Sequence, residues 1–74
     1  MQPEVTLKSI RLTPSSPIID RPLAETNIRE DYYCIIVKIQ HADGEFSQPT
    51  PDTVLHAGDL IWVVGDKNQF SKMK

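Results

Sequence analysis

The sequence predicts a small α+β domain: a mostly antiparallel sheet in β-α-β-β-β-α order with helices packed on one side. Three observations carry the prediction. Two segments, at residues 34–40 and 60–64, have strand composition, and an Asp-Gly reversal at residues 43–44 makes a hairpin out of the first. The helix signals are short and sit directly beside turn residues. A chain of 74 residues holds one core, since single domains usually run to about 100–150 residues. Residues 1–74 are therefore read as one domain.

Taken in order, residues 5–12 (Val-Thr-Leu-Lys-Ser-Ile-Arg-Leu) mix β-branched and apolar side chains. Val5 and Leu7 fall on one parity and Ile10 and Leu12 on the other, which predicts a strand with a possible bulge. Pro14, Ser15, Ser16 and Pro17 stop it, because prolines lack ladder donors and serines offer competing hydrogen bonds. Asp20 then reads as the cap of a helix of about two turns in which Pro22 needs no donor. Ile19 would staple onto Ala24, Leu23 would face the sheet, and Asn27 would take the left-handed conformation of the helix end.

Residues 34–40 place Ile35, Val37 and Ile39 on one face and Cys34, Ile36, Lys38 and Gln40 on the other. His41-Ala42-Asp43-Gly44 turns the chain into a short returning strand at 45–47. A Pro-rich connection at 48–53 and a turn at Gly58 lead to Leu60-Ile61-Trp62-Val63-Val64, apolar at every position as a central strand covered on both faces would be. Gly65 ends that strand. Asp66 and Gln69 have the spacing of a capping box for a last helix, expected to be cut short by the end of the chain.

Composition mostly excludes. At 39% hydrophobic and 24% charged the chain is ordinary for a folded domain, and no segment approaches eighteen apolar residues. The segment Met1-Gln2-Pro3-Glu4 has no signal-peptide pattern, so the expected location is cytoplasmic. A net charge of −2 with scattered basic residues gives no field to attract phosphate backbones, so no nucleic acid partner is expected. One cysteine cannot make an internal disulfide, and Cys/His metal spacings are absent. Without such staples, self-association is expected. His41 and His56 lie beside turns and read as surface residues, Cys34 and Trp62 as packing or interface, and the glycines as backbone hinges. No catalytic constellation, cofactor or metal site is assigned, and no enzyme is expected. Asp52, Asp59 and Asp66 recur every seven residues, but each has a local role in a turn or cap.

The run Pro51-Asp52-Thr53-Val54-Leu55-His56-Ala57-Gly58-Asp59-Leu60-Ile61-Trp62-Val63-Val64-Gly65 resembles the pattern of the TrkA-C domain, the C-terminal subdomain of regulator-of-conductance-of-potassium (RCK) proteins. Leu23, Glu25, Ile28 and Arg29 and the apolar strand at 34–39 add to the likeness, which covers about residues 4–73. One departure is the turn before the first helix, where many members carry a glycine and this chain has Ser16-Pro17 and Asp20.

The resemblance implies a cytosolic domain attached to, or assembled with, a potassium or sodium channel or cation/proton antiporter. There it acts as a homodimer that biases the transporter, and the chain is expected to be an excised C-terminal fragment of that larger protein. Some relatives bind cyclic di-AMP between two subunits. Ile18, Ile19, Asn27 and Ile28 fall where that pattern has an apolar pair and an Asn-apolar pair. Pro22 and Ala24 stand where the binders tend to have an acidic residue and an arginine, so Arg21 or Arg29 would have to replace the missing cation. The ligand set implied is Ile18, Ile19, Asn27, Ile28 and Arg29. The alternative is a constitutive dimerisation module with no ligand.

Overall fold

A computed structural model describes residues 5–73. Four strands form one antiparallel sheet: β1 (Val5–Arg11), β2 (Cys34–Gln40), β3 (Phe46–Ser47) and β4 (Leu60–Asp66), in the spatial order β1-β4-β2-β3. A 3-10 turn (Leu23–Glu25), a short helix α1 (Ile28–Tyr32) and a terminal 3-10 segment (Lys67–Met73) complete it. Among the described residues no helix is long and apolar enough to cross a membrane.

The all-apolar strand β4 is central, as expected. Its alternation buries Ile61, Val63 and Gly65 and leaves Leu60, Trp62 and Val64 half-buried on the other face. The core forms on the inner face, where Ile10, Ile39, Ile61 and Val63 meet Leu12, Ile18, Ile28, Leu55, Phe70 and Met73. Among the described residues only that face is covered, in contrast to the two-sided cover the composition suggested.

The bulge lies in a different strand from the one expected. β1 pairs with β4 without interruption from Val5↔Asp66 to Arg11↔Leu60. Its mixed parity arises because both faces of the sheet are apolar, Val5 and Leu7 pointing out and Ile10 in. β2 carries the irregularity instead, between Ile36 and Lys38. The extra residue, Val37, changes the parity, so Cys34, Ile36 and Ile39 face inward while Ile35, Lys38 and Gln40 face outward. At the hairpin, the His41 N–H donates to the Glu45 carbonyl (2.8 Å) and the Gly44 N–H to the His41 carbonyl (2.8 Å). Gly44, at φ 93°, supplies the positive angle that closes this three-residue loop.

The first helix divides in two. Asp20 sits at φ 66° and gives no side-chain cap, and the backbone donors it was expected to satisfy are taken by the Pro-rich connection. Asp20 N donates to Leu55 O (2.7 Å), Leu23 N to Thr53 O (2.8 Å) and Ala24 N to Pro51 O (3.0 Å). Lateral pairing of this kind competes with helix propagation, and only a 3-10 turn survives. Asn27 is left-handed (φ 52°), but it links the turn to α1 instead of ending the element. Arg29 therefore lies inside α1. Ile19 and Leu23 pack on the core while Ala24 is exposed. The last helix is 3-10 in character, and Asp66 Oδ1 accepts from Asn68 N (2.9 Å), two residues on, in place of the capping-box contact with Gln69. Its expected truncation at Lys74 lies outside the described residues.

Candidate ligand groove

Beside α1 the surface opens into a groove of about 500 Å³. The 3-10 turn supplies Leu23 and Ala24, α1 and its cap supply Asn27, Ile28, Arg29 and Glu30, β2 supplies Cys34, Ile35 and Ile36, and Pro49-Thr50-Pro51 closes the far side. The walls are aliphatic and prolyl, while one amide, one guanidinium and one carboxylate stand at the groove. Such a surface suits a ligand with a flat apolar part and an anionic part. Arg29 is exposed and has no ionic partner among the described residues, so its charge-assisted donors remain available. A second, almost wholly apolar cleft of about 230 Å³ shares Arg29, Cys34 and Ile35 with the first and adds Val5, Tyr33, Val64 and Gly65.

The residues singled out from the sequence divide. Asn27, Ile28 and Arg29 line the groove together, on one short stretch. Ile18 is fully buried in the core, and Ile19 packs against the core without lining the groove. The walls from β2 and from residues 49–51 were not singled out. The rigidity of a Pro-x-Pro stretch is the one signal that could have pointed to the latter.

Cys34 sits at the floor of both clefts yet is only 3% exposed, with its Sγ 3.7 Å from Met73 Sδ. Burial pushes its thiol pKa up to about 11, so it is neutral near pH 7 and serves as packing. His41 is not a free surface residue. Its Nδ1 lies 3.3 Å from Asp59 Oδ2 and its Nε2 2.9 Å from Ser47 Oγ, and Asp59 Oδ2 also accepts from His56 N at 3.0 Å. The residue types are those of a hydrolytic triad, but none of the three lines either cleft. They act as a strut that ties the hairpin to the start of β4.

The TrkA-C domain pattern matches residues 7–74. "Potassium channel protein 1" of Methanocaldococcus jannaschii is 36% identical over 52 residues, 70% of this chain and 16% of that protein. An "uncharacterized transporter" of Bacteroides thetaiotaomicron is 35% identical over 71 residues, 96% of this chain and 13% of that protein. The chain thus spans less than a fifth of each of these relatives. Among solved structures, an RCK_C domain dimer of S. agalactiae BusR in complex with c-di-AMP superposes with a TM-score of 0.79 at 30% identity, covering 92% of this chain and 90% of that one.

Proposed function

The chain belongs to the TrkA-C domain family, and on that premise we propose that it is a regulatory, non-catalytic domain on the cytosolic side of a cation transport system. It works as a homodimer and senses a small anionic ligand, cyclic di-AMP, in the groove beside α1. The relatives named as a potassium channel and a transporter support the setting, and the dimer bound to c-di-AMP supports the ligand class. The observation that carries the reading is Arg29, a guanidinium without an ionic partner among the described residues, set in the same groove as Ala24. Ala24 stands where the resemblance leads one to look for an arginine, and Arg29, five residues on in α1, brings a cation to the same groove. Binding moves the transporter only through different affinities for two arrangements of the dimer.

A second reading, a dimerisation module that senses nothing, draws on Pro22 and Ala24. Both are tied by backbone pairing to the 51–54 segment and offer no polar side chain to a ligand. Titration calorimetry separates the two. Wild type should bind cyclic di-AMP, and Arg29→Ala should bind about tenfold to a hundredfold more weakly, the loss expected for one charge-assisted contact. Equal binding by the two proteins removes Arg29 from the site. No binding by wild type favours the second reading.

A further inference from the structure

The α1 groove holds a negative charge as well as a positive one. Arg29 and Glu30 are consecutive in α1, and both line the groove. Among the described residues that line it, these two alone are charged. A carboxylate beside the cation weakens a site for a bare anion, because it repels the phosphate that the guanidinium attracts. The pair suits instead a ligand that offers a hydrogen-bond donor close to its negative charge. Glu30 is exposed, and among the described residues no ion pair involves its carboxylate. When ionised it can only accept. The other polar side chains of the groove differ: Asn27 can both donate and accept, and the Thr50 hydroxyl is engaged 2.9 Å from Thr53 Oγ1. The backbone holds the pair in place, since Asp31 N donates to Asn27 O (2.8 Å) and Tyr33 N to Arg29 O (3.1 Å), with a left-handed residue at each end of α1.

We propose that Glu30 reads the sugar of the nucleotide: its carboxylate accepts from a ribose 2′-hydroxyl while Arg29 takes the phosphodiester on the neighbouring 3′ oxygen, so the groove prefers a ribonucleotide to its deoxy form. The inference rests on the cyclic di-AMP reading above and adds a second contact at the same site. An adenosine offers two donors, the 2′-hydroxyl and the exocyclic amine, and spacing favours the first. In a 3′–5′ link the hydroxyl and the phosphate stand on adjacent ring carbons. Arg29 and Glu30 likewise stand at adjacent positions, with Cα atoms about 3.8 Å apart across one peptide. The amine lies at the far end of the base, away from the phosphate. The base itself is suited by the aliphatic and prolyl walls of Leu23, Ile36, Pro49 and Pro51, which offer apolar surface to its flat face. An ionised acceptor makes a stronger hydrogen bond than a neutral one, which offsets the repulsion between Glu30 and the phosphate.

Titration calorimetry with cyclic di-AMP and its 2′-deoxy analogue, cyclic di-dAMP, tests this. Wild type should bind the ribose form about tenfold to a hundredfold more tightly, the difference expected for one hydrogen bond to a charged acceptor. Glu30→Ala should bind the two forms alike, with its circular dichroism unchanged. Glu30→Gln keeps an acceptor without the charge and should retain part of the preference. Arg29→Ala should weaken both forms by the same factor and leave the preference in place. The proposal is overturned, and the cyclic di-AMP reading stands, if wild type binds both forms equally or if Glu30→Ala keeps the full preference. A wild type that binds neither form overturns both.

Discussion

Gly65→Ala should cost at least about 3 kcal/mol of stability, at or beyond the upper end of the usual overpacking penalty. Gly65 is buried on the inner side of β4, opposite Thr6 and Cys34. A Cβ added there would overlap the Cys34 Cβ and lie 2.6 Å from the Tyr33 carbonyl oxygen and 2.7 Å from the Cys34 Cα. Two of those three atoms are backbone, so no rotamer change relieves the clash. Tyr33 is already left-handed at φ 54° as it ends α1, which leaves the link from α1 to β2 little freedom to move aside. A domain of this size has little stability in reserve, since many single domains total only about 5–15 kcal/mol. Urea unfolding followed by circular dichroism measures the effect, and an unchanged midpoint would show that the close approach does not constrain the fold.

The second large effect is expected at Asp59. Its carboxylate is buried and accepts from His56 N and from His41 Nδ1. Because an ionised carboxylate can only accept, Nδ1 must carry a hydrogen, and a neutral His41 then accepts from the Ser47 hydroxyl through Nε2. The backbone of the same residue extends the sheet: Leu12 N donates to Asp59 O (2.8 Å) and Gly58 N to Leu12 O (2.9 Å), with Gly58 at φ 93°. Asp59→Ala strands the His56 N–H and the His41 ring and should cost about 2–4 kcal/mol, whereas Asp59→Asn keeps one acceptor and should cost less. Thermal unfolding of the two variants beside wild type checks the order. Equal midpoints for Ala and Asn would mean that the accepted hydrogen bonds do not carry the stability.

These two residues also explain what was legible in the sequence. Gly58-Asp59 lead into β4, and Gly65, expected to end the strand, sits inside it one residue before Asp66; backbone conformation and close approach demand these residues, and such demands act locally, so they leave a mark on the chain. The hairpin at Gly44 and the left-handed Asn27 were readable for the same reason, and the central place of β4 from its unbroken apolar run. What was not readable depends on pairing between distant segments. The bulge at Val37 is set by register against β4. The first helix is broken by carbonyls of residues 51–55, about thirty positions away. At the groove, Asn27, Ile28 and Arg29 lie together because they are contiguous. The walls from β2 and Pro49–Pro51 come together only in the folded chain, and the same folding takes Ile18 into the core.

Whether the domain senses a ligand, as proposed, is tested most directly by thermal unfolding with cyclic di-AMP, ATP, NADH and AMP, each at up to about a millimolar. A ligand present at about a hundred times its dissociation constant adds roughly 2.7 kcal/mol, which for so small a domain is a rise on the order of ten degrees or more. That rise is expected with cyclic di-AMP and not with the other three. An unchanged midpoint with all four would contradict it and leave a domain whose role is to hold two subunits together.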